Sequence, residues 1–169
     1  MGVNKLKPTP RKWLLTIHIL FSAILFGGAV IFLVLSIILA NTNDAGVFTA
    51  CYTVMHLLAK TSVRASTIGT LASGILLSVL TPWGLFRYNW LIAKQILTAV
   101  CILLGPIGMY FWTLKAVTII TAEGIQALSN PEFAVNRIQL WIGIAIQLLA
   151  LLALFALSVF KPGKRRSKS

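Results

Sequence analysis

The feature that most constrains this chain is a long apolar run from Trp13 to Ala40, WLLTIHILFSAILFGGAVIFLVLSIILA, which contains no charged residue. A helix that crosses the hydrocarbon core of a bilayer needs about 20 mostly apolar residues, and this run is longer. A cluster of cations precedes the run and the polar sequence NTND follows it. The run therefore predicts a first membrane-spanning helix, which sets the environment of the rest of the chain.

The composition predicts the same environment for the whole chain. Of the 169 residues, 58% are hydrophobic and 11% are charged, whereas soluble domains are roughly 45–50% apolar and about 25% charged. The net charge of +12 comes from 15 basic and 3 acidic residues, and most of the cations lie near the ends of apolar runs. Anionic lipid headgroups of a bilayer are therefore the expected counter-charge. The sequence carries no DNA- or RNA-binding motif, so no nucleic-acid partner is expected.

Three further segments are each long and apolar enough to span the membrane as a helix. We therefore predict an all-α, integral membrane four-helix bundle over 13–160, with helices at about 13–40, 48–80, 89–117 and 131–160. Residues 1–12 would form a basic tail outside the first helix, because Pro8 and Pro10 interrupt helical hydrogen bonding. Residues 161–169 would form a second basic tail, and Pro106 is expected to kink the third helix.

The distribution of cations predicts the orientation of the bundle. Lys and Arg are retained on the cytoplasmic side of a membrane. They are concentrated in both tails, and Arg87 lies in the link between the second and third helices, where the sequence TPWG predicts a turn. The three acidic residues fall in or beside the other two connections: Asp44, Glu123 and Glu132. Both termini are therefore predicted to be cytoplasmic.

Among the ionisable side chains of the predicted helices, His18 in the first helix and Lys94 in the third are the clearest cases of a group placed inside the membrane. Such a residue at the centre of a membrane helix costs about 2.5–3.5 kcal/mol on insertion scales, which makes it a candidate functional residue. Each follows the start of its predicted helix by five residues, so both are expected about 7–8 Å inside the same leaflet. The two side chains are candidates to bind one ligand between them. The alternatives are a hydrogen-bonded packing histidine and a lysine that extends to the membrane surface.

A second group of cations is predicted at the outer ends of the second, third and fourth helices: His56, Lys60, Arg64, Lys115 and Arg137. These side chains are expected to form an interfacial ring of charge, to bind an anion, or to pair with Glu123 and Glu132.

A candidate copper site lies in the same region. Cys51, Met55 and His56 are close in sequence, and Met109 is a further candidate beside them. Thiolate, thioether and imidazole are ligands that suit copper. We expect no disulfide between Cys51 and Cys101, because they belong to different parts of the chain.

Several classes of enzyme are disfavoured by the motifs that the sequence does not contain. No carboxylate lies within an apolar run, so a proton relay built on acidic side chains is not expected. The sequence has no Ser-His-Asp set, no phosphate-binding loop and no HExxH motif, which argues against a hydrolase or an ATPase.

Short motifs between Trp13 and Leu114 resemble one group of proteins. The first helix reads IHILFSAILFGG, with a histidine before paired glycines, and Arg64 precedes a run that contains Gly69 and Gly74. The third helix opens with a tryptophan followed four residues later by Lys94. The chain thus resembles the CopD-like group of small bacterial integral membrane proteins, which includes the copper-resistance CopD domain. It is similar, more distantly, to HemJ, a haem-containing protoporphyrinogen oxidase with four helices.

The resemblance implies a protein of the bacterial cytoplasmic membrane. The histidine of the first helix and the lysine of the third helix in HemJ map onto His18 and Lys94, which implies a haem b site at these residues and, if the protein is an enzyme, a membrane oxidoreductase. The leading hypothesis is therefore a haem- or porphyrin-binding redox protein. The alternatives are a copper-handling protein and a non-catalytic accessory subunit of a membrane complex. Candidate protein partners are a second copy of the chain and a partner within a membrane complex.

Overall fold

The computed structural model describes residues 7–80 and 88–162. These residues form four long helices, which confirms the predicted all-α membrane bundle; their bounds are α1 Pro8–Ala40, α2 Ala45–Leu80, α3 Asn89–Ser129 and α4 Pro131–Phe160. Each helix is long and apolar enough to cross a membrane. The predicted turn TPWG, Arg87 and most of both basic tails lie outside the described residues.

Each helix packs against two neighbours. The helices α1 and α3 both contact α2 and α4, so α1 and α3 lie diagonally across the bundle. Consecutive helices are antiparallel, because short connections join them. We call the end where α1 begins and α4 ends the tail end, and the end where α1 ends and α4 begins the loop end.

The first helix begins at Pro8, so the prediction that it starts at Trp13 is wrong. The backbone N–H groups in the first turn of a helix form no hydrogen bonds within that helix. Pro8 and Pro10 can therefore occupy the first turn without removing such a bond. The second helix begins at Ala45, earlier than predicted, because the Asp44 carboxylate accepts a hydrogen bond from the Val47 N–H at 2.9 Å. Both helices are therefore longer at their N-terminal ends than the sequence predicted.

The start of α4 agrees with the prediction. The Asn130 side chain accepts hydrogen bonds from the N–H groups of Glu132, at 2.8 Å, and Phe133, and Pro131 occupies the first position. By contrast, α3 extends beyond its predicted end at residue 117. It continues as an α-helix to Glu123 and ends in a 3₁₀ segment that begins at Gly124, whose φ of 57° suits glycine.

Two segments near the middle of the bundle are π-helical, Ala59–Val63 in α2 and Leu103–Met109 in α3, and they contact each other. The predicted kink at Pro106 therefore takes the form of a widened helical segment. The N-terminal half of α2 packs mainly on the C-terminal half of α3, whereas its C-terminal half packs on α1. The π segment of α2 thus lies where the helix changes its main neighbour.

Glycines allow the closest approaches between helices. A Cβ at Gly69 would lie 2.5 Å from the Phe21 ring, so this ring packs directly on the backbone of α2. A Cβ at Gly143 would overlap the Trp112 ring in the same way on the opposite side of the bundle. Small residues at such contacts are typical of helices packed within membranes.

Candidate functional site

The first candidate residue, His18, lies between α1 and α2 near the tail end. Its Nδ1 atom is 2.9 Å from the hydroxyl oxygen of Ser73, which is buried. The ring also lies against Gly74, where an added Cβ would be 3.2 Å from Cε1. A glycine at this position therefore lets the imidazole approach the backbone of α2 closely.

The hydrogen bonds of Ser73 determine which ring nitrogen of His18 carries the proton. The Ser73 hydroxyl donates to the carbonyl oxygen of Gly69 at 2.6 Å, so its own hydrogen is already used. The hydroxyl oxygen must then accept, and the donor is the His18 Nδ1–H group. In the neutral ring this assignment leaves Nε2 as the unprotonated nitrogen. The ring also forms a hydrogen bond with the backbone of Thr70.

The second candidate residue, Lys94, lies at the same end of the bundle but turns toward α4. Its ammonium group donates to the Ser158 hydroxyl at 2.9 Å and lies 5.9 Å from the centre of the Trp90 ring. Lys94 is close enough to His18 for their charges to interact. The structure thus brings both residues to one end of the bundle, but each forms its hydrogen bond with a different helix.

The three residues of the candidate copper site do not share one face, because His56 is turned away from Cys51 and Met55. Cys51 and Met55 are buried in the core, one helical turn apart. By contrast, His56 turns toward α3, where its Nδ1 atom is 3.2 Å from the Thr113 hydroxyl and its ring packs on Tyr110. The described residues contain no group of three or more His, Cys, Asp or Glu side chains that could hold a metal.

The cations at the loop end behave partly as predicted. Lys115 forms an ion pair with Glu132 at 2.7 Å, which confirms one of the predicted pairings. Glu123 instead accepts hydrogen bonds from the Asn130 amide. Because both side chains of the ion pair are largely exposed, the pair contributes little to stability in water, typically ~0–1 kcal/mol.

Arg64 is not at the outer end of its helix, so this part of the prediction is wrong. Its neighbour Val63 packs against Gly28, with Val63 Cγ2 3.5 Å from where a Gly28 Cβ would be. At the rise of an α-helix, Gly28 lies about 22 Å from Trp13 and about 18 Å from Ala40, close to the middle of the first apolar run. Arg64 therefore lies near mid-depth, and it is exposed on the outside of the bundle.

A buried amide in the fourth helix was not among the predicted site residues. Gln147 is 1% exposed, and neither its amide nitrogen nor its amide oxygen has a hydrogen-bond partner among the described residues. It lies against Gly105 in the π segment of α3, where an added Cβ would be 3.3 Å from the amide nitrogen. The sequence signal for this residue is a single amide within a long apolar run.

Four antiparallel membrane-spanning helices, joined by interior contacts between ionisable side chains and hydroxyl groups, define a multi-pass integral membrane protein. The comparison with known families agrees with this class. The chain belongs to the family described as a predicted integral membrane protein (DUF2269), whose model matches residues 12–162. No curated protein and no solved structure matches the chain.

Proposed function

We propose that this protein binds haem or a related porphyrin near the tail end of the bundle and acts in membrane redox chemistry. His18 would be the residue that binds the haem iron, through Nε2. The observation that carries the proposal is the contact between His18 Nδ1 and the Ser73 hydroxyl, which makes Nε2 the unprotonated nitrogen of the neutral ring. The resemblance of the IHILFSAILFGG and Trp90–Lys94 motifs to the CopD-like group and to HemJ supports the same site.

The surroundings of His18 suit a metal-binding imidazole. A histidine that ligates a metal nearly always donates its other ring N–H group to an oxygen, which fixes the orientation and the tautomer of the ring. Ser73 provides this oxygen, and Gly74 leaves room for the ring beside the backbone. The donor set therefore fits an axial haem ligand, and haem bound there would supply one-electron transfer.

Lys94 has a different role in this proposal, that of a partner for an acidic group of the porphyrin. An ammonium group has three N–H donors, and Ser158 accepts one of them. The remaining donors are available to a carboxylate at the same end of the bundle. Because the Ser158 contact holds the amine toward α4, we assign Lys94 to a propionate and not to the iron.

The test is the visible absorption spectrum of the protein purified after growth with added haem precursor. We expect a Soret band that is lost in His18→Ala and retained in His56→Ala, the matched change at the other histidine. Lys94→Met should keep the band and weaken haem retention. A protein without a Soret band, or a band unchanged in His18→Ala, overturns the proposal.

Copper is the second candidate, and the buried pair of Cys51 and Met55 favours it. A thiol and a thioether one helical turn apart are soft ligands that suit Cu(I). A titration with Cu(I) against a competing chelator should show binding that is lost in Cys51→Ser and retained in Cys101→Ser. Equal binding by the two variants would remove this candidate.

A further inference from the structure

The outward face of α2 carries a positive charge, that of Arg64, at a depth in the bilayer where charges are rare. His56, Lys60 and Arg64 follow each other at one-turn spacing, and the Arg64 guanidinium lies 4.9 Å from the centre of the Tyr110 ring of α3. We call these four residues the basic face. Lys60 and Arg64 are both exposed, so this part of the basic face points away from the bundle, whereas His56 and Tyr110 are partly buried.

The depth of the guanidinium follows from the contacts of Val63. This residue packs against Gly28 of α1 and also against Gly105 of α3, which lies midway between Lys94 and Lys115 along its helix. Tyr110 is only about 7 Å beyond Gly105 at the rise of a helix. The headgroups begin about 15 Å from the midplane of a bilayer. The guanidinium on the Tyr110 ring therefore lies well inside the hydrocarbon region.

The chain itself offers no anion at this depth. Its three acidic residues are Asp44, Glu123 and Glu132, and all three lie at the loop end. Glu132 is paired with Lys115, and Glu123 accepts from Asn130. A second copy of this chain that packed beside the first would bring its acids to the same end. The counter-charge of Arg64 must therefore come from another molecule.

We propose that the basic face docks a membrane-spanning helix of another protein, which carries a carboxylate near the middle of the bilayer. Ionisable residues within membrane helices are found paired with one another or facing a polar interior. A carboxylate and a guanidinium form two parallel hydrogen bonds, which fixes their geometry as well as neutralising their charge. A lipid phosphate is the less suitable partner, because it lies at the level of the headgroups. This inference does not depend on haem binding.

The test uses synthetic membrane-spanning peptides as the partner. Two helices of leucine and alanine, identical except for Glu or Gln at the centre, are reconstituted with the full-length protein in phosphatidylcholine vesicles. Association is measured by energy transfer between labelled peptide and labelled protein. We expect the Glu peptide to associate about tenfold more tightly than the Gln peptide, as interhelical polar contacts in membranes allow.

Variants of the protein show whether Arg64 is responsible. In Arg64→Gln the preference for the Glu peptide should disappear, whereas in Arg11→Gln, which removes the same charge at the tail end, it should remain. Equal association of the two peptides with the native protein, or a preference that survives in Arg64→Gln, overturns the proposal. Loss of the preference when phosphatidylglycerol is added also overturns it, because an anionic lipid would then occupy the basic face.

Discussion

Three ionisable side chains within the bundle share one arrangement. His18, His56 and Lys94 each donate to a hydroxyl group on the next helix along the chain. Each of these hydroxyl groups, on Ser73, Thr113 and Ser158, donates in turn to the backbone carbonyl one turn earlier in its own helix. The hydroxyl oxygen is therefore available to accept a hydrogen bond from the nitrogen that it contacts.

The first prediction concerns the tautomer of His18. We expect ¹⁵N spectra of the ring to show a protonated Nδ1 in the native protein and a mixture of tautomers in Ser73→Ala, because alanine removes the acceptor. If haem is bound, Ser73→Ala should also weaken its affinity by about 10- to 100-fold, the usual cost of losing such a partner. The control Ser78→Ala, one turn further along the same helix, should leave the spectrum unchanged.

The second prediction concerns the contact between α1 and α2. Gly69→Ala places a methyl group against the Phe21 ring, and overpacking of this kind typically costs about 1–3 kcal/mol in the free energy of unfolding. Gly27→Ala is the matched control, because no atom lies within 4 Å of its added Cβ. Denaturation by SDS in mixed micelles measures both changes. Equal stability of the two variants would contradict the close approach of Phe21 to Gly69.

At the scale of the helices, the sequence predicted the elements but not their internal geometry. Asp44 and Asn130 are capping residues with short-range partners, so helix starts near them follow from local chemistry. The π segment Ala59–Val63 has no such signal, because it contains neither proline nor glycine. It depends on which neighbour each half of α2 contacts, and that is a property of the assembled bundle.

The same reasoning explains which parts of the site were predictable. The order of the helices and the positions of His18 and Lys94 in the first parts of α1 and α3 were sufficient to place both residues at one end of the bundle, although α1 begins earlier than predicted. Their hydroxyl partners, Ser73 and Ser158, are 55 and 64 residues away along the chain. Identifying them requires the rotation of each helix about its axis, and the π segments shift that rotation.

The third prediction belongs to the contact between the π segment of α3 and α4. A buried polar group without a partner costs about 1–3 kcal/mol, so Gln147→Leu, which is similar in size and apolar, should raise the free energy of unfolding by about 1 kcal/mol. Gln139→Leu, at an exposed position of the same helix, should change it by less than about 0.5 kcal/mol. A clear loss of stability in Gln147→Leu would mean that its amide has a polar partner in the membrane.

For the whole molecule, the number and order of the helices follow from hydrophobicity and from short connections. The depth of Arg64 in the bilayer does not follow from either of these. The residues before Ala65 are polar enough to suggest a segment outside the bilayer, but α2 spans the bundle beside α1, and the contact of Val63 with Gly28 fixes its level. Packing between complete helices therefore overrides the local composition.

The fourth prediction concerns orientation. In a background of Cys51→Ala and Cys101→Ala, single cysteines are introduced by Lys7→Cys and Pro162→Cys at the tail end and by Asn43→Cys at the loop end. The positive-inside rule predicts that a membrane-impermeant maleimide labels only Asn43→Cys in intact cells, and labels the other two after permeabilisation. The reverse pattern would place both tails outside.

The adjacent π segments also limit how the length of this chain can change. Each adds one residue to its helix relative to regular α-helical spacing. A one-residue deletion within Ala59–Val63 would restore that spacing and keep the two halves of α2 in their present orientation. The same deletion in a regular part of α2 would turn one half by about 100° relative to the other. Related chains that differ by one residue should therefore accommodate the difference in the π segments or in the connections between helices.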